Sequence, residues 1–148
     1  MKDLLLLAIR LYFGINLLYV AQQGGLAKFN WGAENVADNV IVKLGFPFTE
    51  QPLLFAYLVI AAEFGGSISL ITGAMTNMGA TLIMAAMAVA TYAHLVVWKD
   101  DLDSVIYNEN NVHGCALYLV GATVISLFGP GSYSVDAMLF GKRKQKVN

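Results

Sequence analysis

Four long apolar runs separated by polar stretches dominate the pattern of the chain. They cover about residues 4–21, 53–73, 79–98 and 112–128. Each run is close to the roughly 20 residues that an α-helix needs to cross a bilayer core of about 30 Å. The pattern therefore predicts an all-α fold, a four-transmembrane-helix bundle that forms a single membrane domain over residues 1–148.

The stretches between and after these runs contain two weaker helical patterns. Apolar residues recur with helical spacing in residues 35–44, which predicts a short amphipathic helix at the membrane surface in the first outer loop. Residues 132–140 predict another interfacial helix after the fourth span, with Ser134 as a plausible N-cap. Residues 99–111 form an acidic loop, and residues 141–148 form a basic tail.

Composition supports the membrane interpretation. The chain is 57% hydrophobic and 13% charged, whereas a soluble domain carries about a quarter charged residues. The basic residues near the two ends, Lys2 and the lysine-rich tail, predict that both termini are cytoplasmic. The sequence contains no basic patch interleaved with aromatic residues, so it does not indicate nucleic-acid binding. The single cysteine, Cys115, excludes an internal disulfide and a Cys-based metal cage.

One carboxylate stands near the middle of the second apolar run. Glu63 would lie near the bilayer midplane, where an isolated charge is costly, so it must be protonated, paired or turned towards a polar interior. Arg10 in the first run lies at a depth that differs by about one helical turn in an antiparallel arrangement. The two residues are predicted to form an intramembrane charge pair that fixes helix register. The alternative is that Glu63 exchanges protons or binds a ligand.

A second polar group is expected at the outer face. It combines two histidines, two glutamines and a tryptophan, and its members are Gln22, Gln23, His94, Trp98 and His113. Imidazoles at this position can contact a quinone head group or a metal, or they can bind backbone, water or lipid. The two histidines have no spacing typical of a metal site, so no metal ligand set is predicted.

Motifs for independent catalysis are missing from the sequence. It contains no P-loop, no dinucleotide fingerprint, no CxxC and no HExxH. Redox chemistry would therefore need a partner protein or a bound quinone. From the residues alone, the chain is predicted not to be catalytic by itself.

Several ordered motifs resemble those of the DoxX family of membrane proteins. They are Arg10 with Gly14, Gly25-Leu26-Ala27-Lys28, Leu44-Gly45-Phe46-Pro47, Glu63-Phe64-Gly65-Gly66, His94 at the end of the third run, and the stretch Gly129-Pro130-Gly131-Ser132-Tyr133-Ser134-Val135-Asp136. Two positions depart from the family pattern. Gly24 stands where a histidine is common, and Asn77 stands where an arginine is common.

The resemblance implies a four-helix protein of the bacterial inner membrane with structural roles for Gly65, Gly66, Gly129, Pro130, Gly131, Tyr133 and Asp136. It also implies a link to quinone chemistry, as an accessory or quinone-associated component of a larger membrane redox complex that contacts other membrane subunits. A second hypothesis is a standalone binding or carrier protein for small molecules that uses a cavity around Glu63. A third is a purely structural subunit that packs against larger partners.

Overall fold

The computed structural model describes residues 1–19, 24–106 and 114–144. These ranges contain helices and turns and no β-strand. The helices are α1 (Lys2–Tyr19), α2 (Gly25–Val36), α3 (Pro52–Thr72), α4 (Thr76–Val97), α5 (Leu102–Ile106), α6 (Cys115–Phe128) and α7 (Val135–Lys144). The all-α prediction is therefore confirmed for the described part of the chain.

Four of these helices pack in a ring. Helix α1 lies against the second half of α3, α3 against α4, α4 against α6, and α6 against α1. Their shared core consists of large apolar side chains with a few alanines, namely Leu17, Leu70, Ala80, Ile83, Met87, Tyr118, Ala122 and Ile125. Many large apolar side chains on the outside of the ring remain exposed.

Two helices are long and apolar enough to cross a membrane. They are Pro52–Thr72, with 21 residues and a mean hydropathy of 1.8, and Thr76–Val97, with 22 residues and a mean hydropathy of 1.9. Helix α6 is apolar but has 14 residues, because Gly114 is extended and the helix begins at Cys115. By length and composition, α3 and α4 thus support two of the four predicted spans.

The first outer loop is more helical than its sequence pattern predicts. Helix α2 begins at Gly25, bends at Gly32 where φ is 80°, and continues through a π-helical turn, Ala37–Ile41, to the short turn Val42–Leu44. Its buried side chains pack against the first half of α3, with Val36 and Ile41 next to Ala56. The predicted helix of residues 35–44 is therefore the second part of a longer one that is anchored on α3.

Helix boundaries elsewhere differ by a few residues from the predicted ones. Helix α4 begins at Thr76 and not at residue 79, because Gly73 adopts a left-handed conformation, φ 72°, and ends α3 in a tight turn. The loop predicted at residues 99–111 contains α5, whose Val105 is buried. Helix α7 follows the break at residues 129–131, and the hydroxyl of Ser134 accepts the N–H of Ala137 at 3.0 Å, which confirms the expected N-cap.

Candidate ligand-binding site

A buried ion pair joins α2 to the middle of α3. The ammonium group of Lys28 lies 2.6 Å from each carboxylate oxygen of Glu63. Only 12% of the Lys28 side chain and 6% of the Glu63 side chain are exposed. Contact with both oxygens compensates part of the cost of removing the two charges from water. This pair holds the start of α2 against α3.

Gly25 allows α2 to approach Glu63 so closely. A Cβ atom at Gly25 would lie 2.6 Å from the carbonyl carbon and oxygen of Glu63, a distance that real Cβ atoms do not show. The N-terminal end of α2, which carries a partial positive charge, therefore lies next to the segment that carries the carboxylate. Lys28, three residues further on in the first turn, adds a full positive charge. The Gly25-Leu26-Ala27-Lys28 element thus builds the ion pair.

The expected pair between Arg10 and Glu63 is corrected by this geometry. Gly14 of α1 packs beside the Ser67 carbonyl, where an added Cβ would lie 3.1 Å from the oxygen, so Arg10 lies level with Gly73. Gly73 follows Glu63 by ten residues, about 15 Å along a helix. The sequence analysis placed the two side chains only about one turn apart, and the actual register gives each a different partner.

Arg10 belongs to a separate cluster at the turn between α3 and α4. The side chain is fully buried, and its Nη2 donates to the Tyr133 carbonyl oxygen at 2.5 Å. The Asp136 carboxylate accepts the backbone N–H of Met75 at 2.8 Å and of Thr76 at 2.9 Å. We call these residues the Arg10 cluster. It ties α1, the α3–α4 turn and α7 together.

The charge state of Asp136 fits this arrangement. Partial burial opposes ionisation, but the hydrogen bonds from Thr76 and Met75 and the nearby Arg10 guanidinium outweigh it. Together they hold the pKa of the Asp136 carboxyl below its ordinary value of 3.8. The backbone N–H of Asp136 also donates to the Gly73 carbonyl at 2.9 Å. Asp136 is therefore an ionised cap on the α3–α4 turn at neutral pH.

The glycines and proline of the family motifs have different surroundings. A Cβ at Gly66 would lie 2.7 Å from the Ile83 side chain, whereas a Cβ at Gly65 would meet nothing within 4 Å. Gly129 and Gly131 have φ angles of 77° and 72°, which favour glycine. They flank Pro130 in the break between α6 and α7, and this break brings Tyr133 to Arg10.

The Lys28–Glu63 pair lies on the wall of a pocket of about 670 Å³ between α3, α4 and the helical segment of residues 25–44. The lining is mainly apolar, with leucine, valine and alanine side chains from α3 and α4. The polar and aromatic lining residues are Lys28, Trp31, Asn39, Lys43, Phe48, Glu63, His94 and Trp98. We call it the Glu63 pocket. Its volume lies within the range of about 300–1,000 Å³ that is typical of small-molecule sites.

Three π-helical turns contribute to this pocket. They are Ala37–Ile41, Ala61–Gly65, which contains Glu63, and Ala93–Val97, which contains His94. A π-helical turn inserts one residue into a helix and reorients the side chains around it, and such turns are frequent at functional sites. The sequence pattern gave no sign of them, since an apolar helix with a π-turn has nearly the same periodicity as one without.

His94 and Trp98 lie at the more exposed end of the pocket. The Nδ1 atom of His94 is 2.7 Å from an Asp100 carboxylate oxygen, and 30% of the His94 side chain is exposed. The His94 and Trp98 rings meet edge to face, 4.7 Å apart, and Trp98 donates its indole N–H to the Lys43 carbonyl at 3.3 Å. Of the outer group expected from the sequence, the structure brings these two residues together with Glu63, and Gln22, Gln23 and His113 lie outside the described residues.

Sequence reasoning missed two residues of this site. Lys28 was named only as part of the Gly25-Leu26-Ala27-Lys28 motif, and Asp100 was placed in the acidic loop of residues 99–111 without a role. The one available signal for Lys28 was that Glu63 needs a cationic partner. Arg10 met the same requirement, so the sequence did not distinguish the two cations. Asp100 follows His94 by six residues, beyond the end of a regular helix, so no helical periodicity linked the two.

The sequence of this chain matches one known protein family. The sequence model of the DoxX family matches residues 5–96, more than half of the chain. This chain belongs to the DoxX family. The match confirms the resemblance that the motifs indicated, and it supports a membrane protein. No curated protein and no solved structure matches the chain.

The DoxX match and the Glu63 pocket cover nearly the same part of the chain. Lys28, Glu63 and His94 lie within the matched residues, and Trp98 is the one lining residue beyond them. Tyr133 and Asp136 of the Arg10 cluster also lie beyond the match. The candidate site is thus built within the segment by which the chain is assigned to DoxX.

Proposed function

We propose that this DoxX protein binds a lipophilic small molecule with a polar head group in the Glu63 pocket. The observation that carries this proposal is the position of a buried ion pair, Lys28–Glu63, on the wall of a mainly apolar pocket of about 670 Å³. Such a pocket combines a large apolar surface for affinity with a few polar atoms that orient the ligand.

The ion pair has unused hydrogen-bonding capacity. A lysine ammonium group has three N–H donors, and two are directed at the Glu63 oxygens. The third donor can serve a ligand carbonyl, and the carboxylate oxygens retain lone pairs that can accept from a ligand N–H or O–H. A quinone, the cofactor that the family resemblance implies, fits this donor set, because its carbonyl oxygens accept hydrogen bonds and its body is apolar.

The placement in the membrane belongs to the same proposal. We infer that α1 and α6 span the bilayer together with α3 and α4, as a single membrane domain of the bacterial inner membrane with cytoplasmic termini. The ring packing of the four helices and the basic residues near both ends support this topology.

The accessibility of introduced cysteines tests this topology. Single cysteines introduced at position 2 and position 142 of a Cys115→Ser variant are expected to react with a membrane-impermeant maleimide only after the cells are opened.

The position of the protein in a larger redox complex is the family-based part of the proposal. Purification in mild detergent tests it: a defined, stoichiometric partner chain that co-purifies together with quinone supports an accessory role. A lone species without quinone or pigment contradicts that role and leaves the standalone binding protein.

Ligand binding can be tested with the protein's own fluorescence. The chain has two tryptophans, Trp31 and Trp98, and both line the Glu63 pocket. Decylubiquinone, a quencher, is titrated into lipid nanodiscs that contain the protein, with concentration expressed per lipid. Specific binding predicts quenching that saturates, on top of the linear quenching by quinone dissolved in the bilayer.

A matched pair of alanines on α4 provides the control. Both are exposed, but Ala85 lines the pocket, whereas Ala88, three residues further on, lies outside the lining. Ala85→Phe fills pocket volume and is expected to abolish the saturable component, and Ala88→Phe is expected to retain it. Equal quenching of both variants, or no saturable component in the unmodified protein, would rule the proposal out.

A further inference from the structure

We propose that His94, held in one tautomer by Asp100, accepts a hydrogen bond from a hydroxyl group of the bound molecule. The ligand class would then be a lipophile with a phenol-type hydroxyl, favoured over its methylated counterpart. This inference rests on the proposed ligand site in the Glu63 pocket and adds a chemical selectivity to it.

Three contacts fix the His94 ring. Asp100 holds Nδ1 at 2.7 Å, and Trp98 packs against the ring edge to face. The chain also folds back on itself at this point, because the N–H of Asp100 donates to the His94 carbonyl at 2.8 Å and Lys99 adopts a φ of 55°. The carboxylate is thereby placed against Nδ1 by its own backbone, and the ring has little freedom to turn.

The carboxylate determines which ring nitrogen faces a ligand as an acceptor. An ionised Asp accepts hydrogen bonds and cannot donate one, so Nδ1 of His94 must carry the proton. In the neutral imidazole the other nitrogen, Nε2, then has a free lone pair. Since His94 lines the pocket, we infer that Nε2 is the atom offered to a ligand. A hydroxyl group can donate to this atom, whereas a carbonyl or an ether oxygen cannot.

The two ends of the pocket therefore recognise different groups. Gly66 of α3 packs against Ile83 of α4, so Glu63, three residues earlier on the antiparallel α3, lies about level with Ala86. His94 lies eight residues further along α4, about 12 Å away along the helix axis. The apolar side chains between them can hold the body of an elongated molecule. A single ring does not bridge both ends, so the hydroxyl at His94 is a separate determinant from the head group at Lys28.

The experiment compares two probes that differ in one methyl group. 4-Octylphenol and 4-octylanisole compete with decylubiquinone in the tryptophan quenching measurement, and only the phenol can donate a hydrogen bond. One hydrogen bond to a positioned acceptor is expected to favour the phenol about five- to tenfold at neutral pH. Equal competition by both probes in a protein that binds decylubiquinone saturably would overturn the inference and leave the proposed function intact.

Asp100→Asn tests the positioning role of the carboxylate. An asparagine amide can donate to Nδ1, which transfers the ring proton to Nε2 and removes the acceptor. The variant is expected to lose the preference for the phenol while it retains its affinity for the anisole, a result that a merely structural role of Asp100 would not give. Asp103→Asn, which changes an exposed acid on α5, is the matched control and should keep the preference.

The pH profile gives an independent readout. A His94 ring that carries a hydrogen on both nitrogens offers no acceptor at Nε2, so the preference for the phenol should be smaller at acidic pH than at neutral pH. Asp100 contacts Nδ1, and the segment that follows His94 also carries Lys99, Asp101 and Asp103. The charged residues that line the pocket with His94 are Lys28, Lys43 and Glu63. A phenol preference that is independent of pH and persists in Asp100→Asn would refute the assignment. A failure of both probes to compete, in a protein that binds decylubiquinone saturably, would also overturn the inference and would leave the proposed ligand site intact.

Discussion

The Arg10 cluster and the Glu63 pocket both contain buried charged side chains, but these side chains have different surroundings. Each places buried charge inside an apolar helical protein. Arg10 is fully buried, and a Cβ at Gly73 would collide with its guanidinium, so the side chain is closely packed against the α3–α4 turn. Glu63 is buried nearly as deeply, yet its partner Lys28 lies on the wall of a pocket of about 670 Å³.

This difference separates a structural role from a functional one. A buried charge alone does not identify a site, because charges can serve to tie helices together. In the Arg10 cluster, the charged groups bind backbone atoms of other elements, namely the Tyr133 carbonyl and the N–H groups of Met75 and Thr76. In the Glu63 pocket, the charged groups bind each other and face open space. The open space makes the second site the candidate for ligand binding.

The largest effect is expected from Arg10→Met. The substitution removes the donor to the Tyr133 carbonyl and leaves Asp136 without its nearby cation, so the free energy of unfolding should fall by about 3–5 kcal/mol. Titration with sodium dodecyl sulfate, followed by circular dichroism, measures it. Lys43→Met removes the same charge from an exposed position and should change stability by no more than about 0.5 kcal/mol.

The same variant sharpens the comparison between the two sites. Under conditions where Arg10→Met remains folded, its saturable quenching by decylubiquinone should equal that of the unmodified protein. If the free energy of unfolding of Arg10→Met falls by less than about 1 kcal/mol, the structural role of the Arg10 cluster is contradicted. A loss of ligand binding in a folded protein would contradict the separation of the sites.

Lys28→Met should give the next largest effect. Its free energy of unfolding should fall by about 3 kcal/mol, and the saturable quenching by decylubiquinone should disappear. The variant leaves the buried Glu63 carboxylate without its cation, and an unpaired buried charge is strongly destabilising. The double variant Lys28→Met/Glu63→Leu removes both charges and should recover most of the stability while it remains unable to bind the quinone. A double variant as unstable as the sum of the two single variants would mean that the ion pair is not the interaction measured.

Two adjacent glycines on α3 test the packing between the sites. Gly66 faces Ile83 of α4, and Gly66→Ala should cost about 1–3 kcal/mol through overpacking. Gly65 faces an open apolar groove between α3 and α4, so Gly65→Ala should be neutral or should stabilise the protein by up to about 1 kcal/mol. Thermal unfolding in detergent distinguishes the two, and the opposite ranking would disprove the orientation of α3.

Asp136→Asn should have a smaller effect than Arg10→Met or Lys28→Met, about 1–2 kcal/mol at neutral pH, because the amide retains one oxygen as an acceptor for the turn. The effect depends on pH in a defined direction. Since the folded-state pKa lies below the ordinary value of 3.8, the ionised carboxylate stabilises the fold above that pH, and its contribution is lost as the pH falls from about 4 towards the folded-state pKa. The stability difference between the two proteins should therefore shrink at acidic pH.

The pH series for Asp136→Asn needs one control. Asp103→Asn alters an exposed carboxylate, and its stability relative to the unmodified protein should be the same at pH 7 and at about pH 3, two pH values that lie above and below the ordinary Asp pKa of 3.8. A difference for Asp136→Asn that grows as the pH falls would show that the cap does not act through its ionised form.

Much of the fold follows from the order of apolar and polar residues. The apolar runs determine where α1, α3, α4 and α6 form, because a helix of this composition satisfies its own backbone and needs an apolar environment for its side chains. The break Gly129-Pro130-Gly131 separates α6 from α7, since two of its residues adopt positive φ angles that favour glycine. The ordered motifs were sufficient to indicate the DoxX family.

The partners of the charged residues depended on the tertiary structure. Periodicity fixes the face on which Glu63 lies, but the sliding of one helix along another is decided by close contacts such as that of Gly14 with the Ser67 carbonyl. That register sets Arg10 beside Gly73 and leaves Glu63 to Lys28. The pocket likewise exists only because α2 packs back on α3, as Gly25 can approach Glu63 where any larger residue would be excluded.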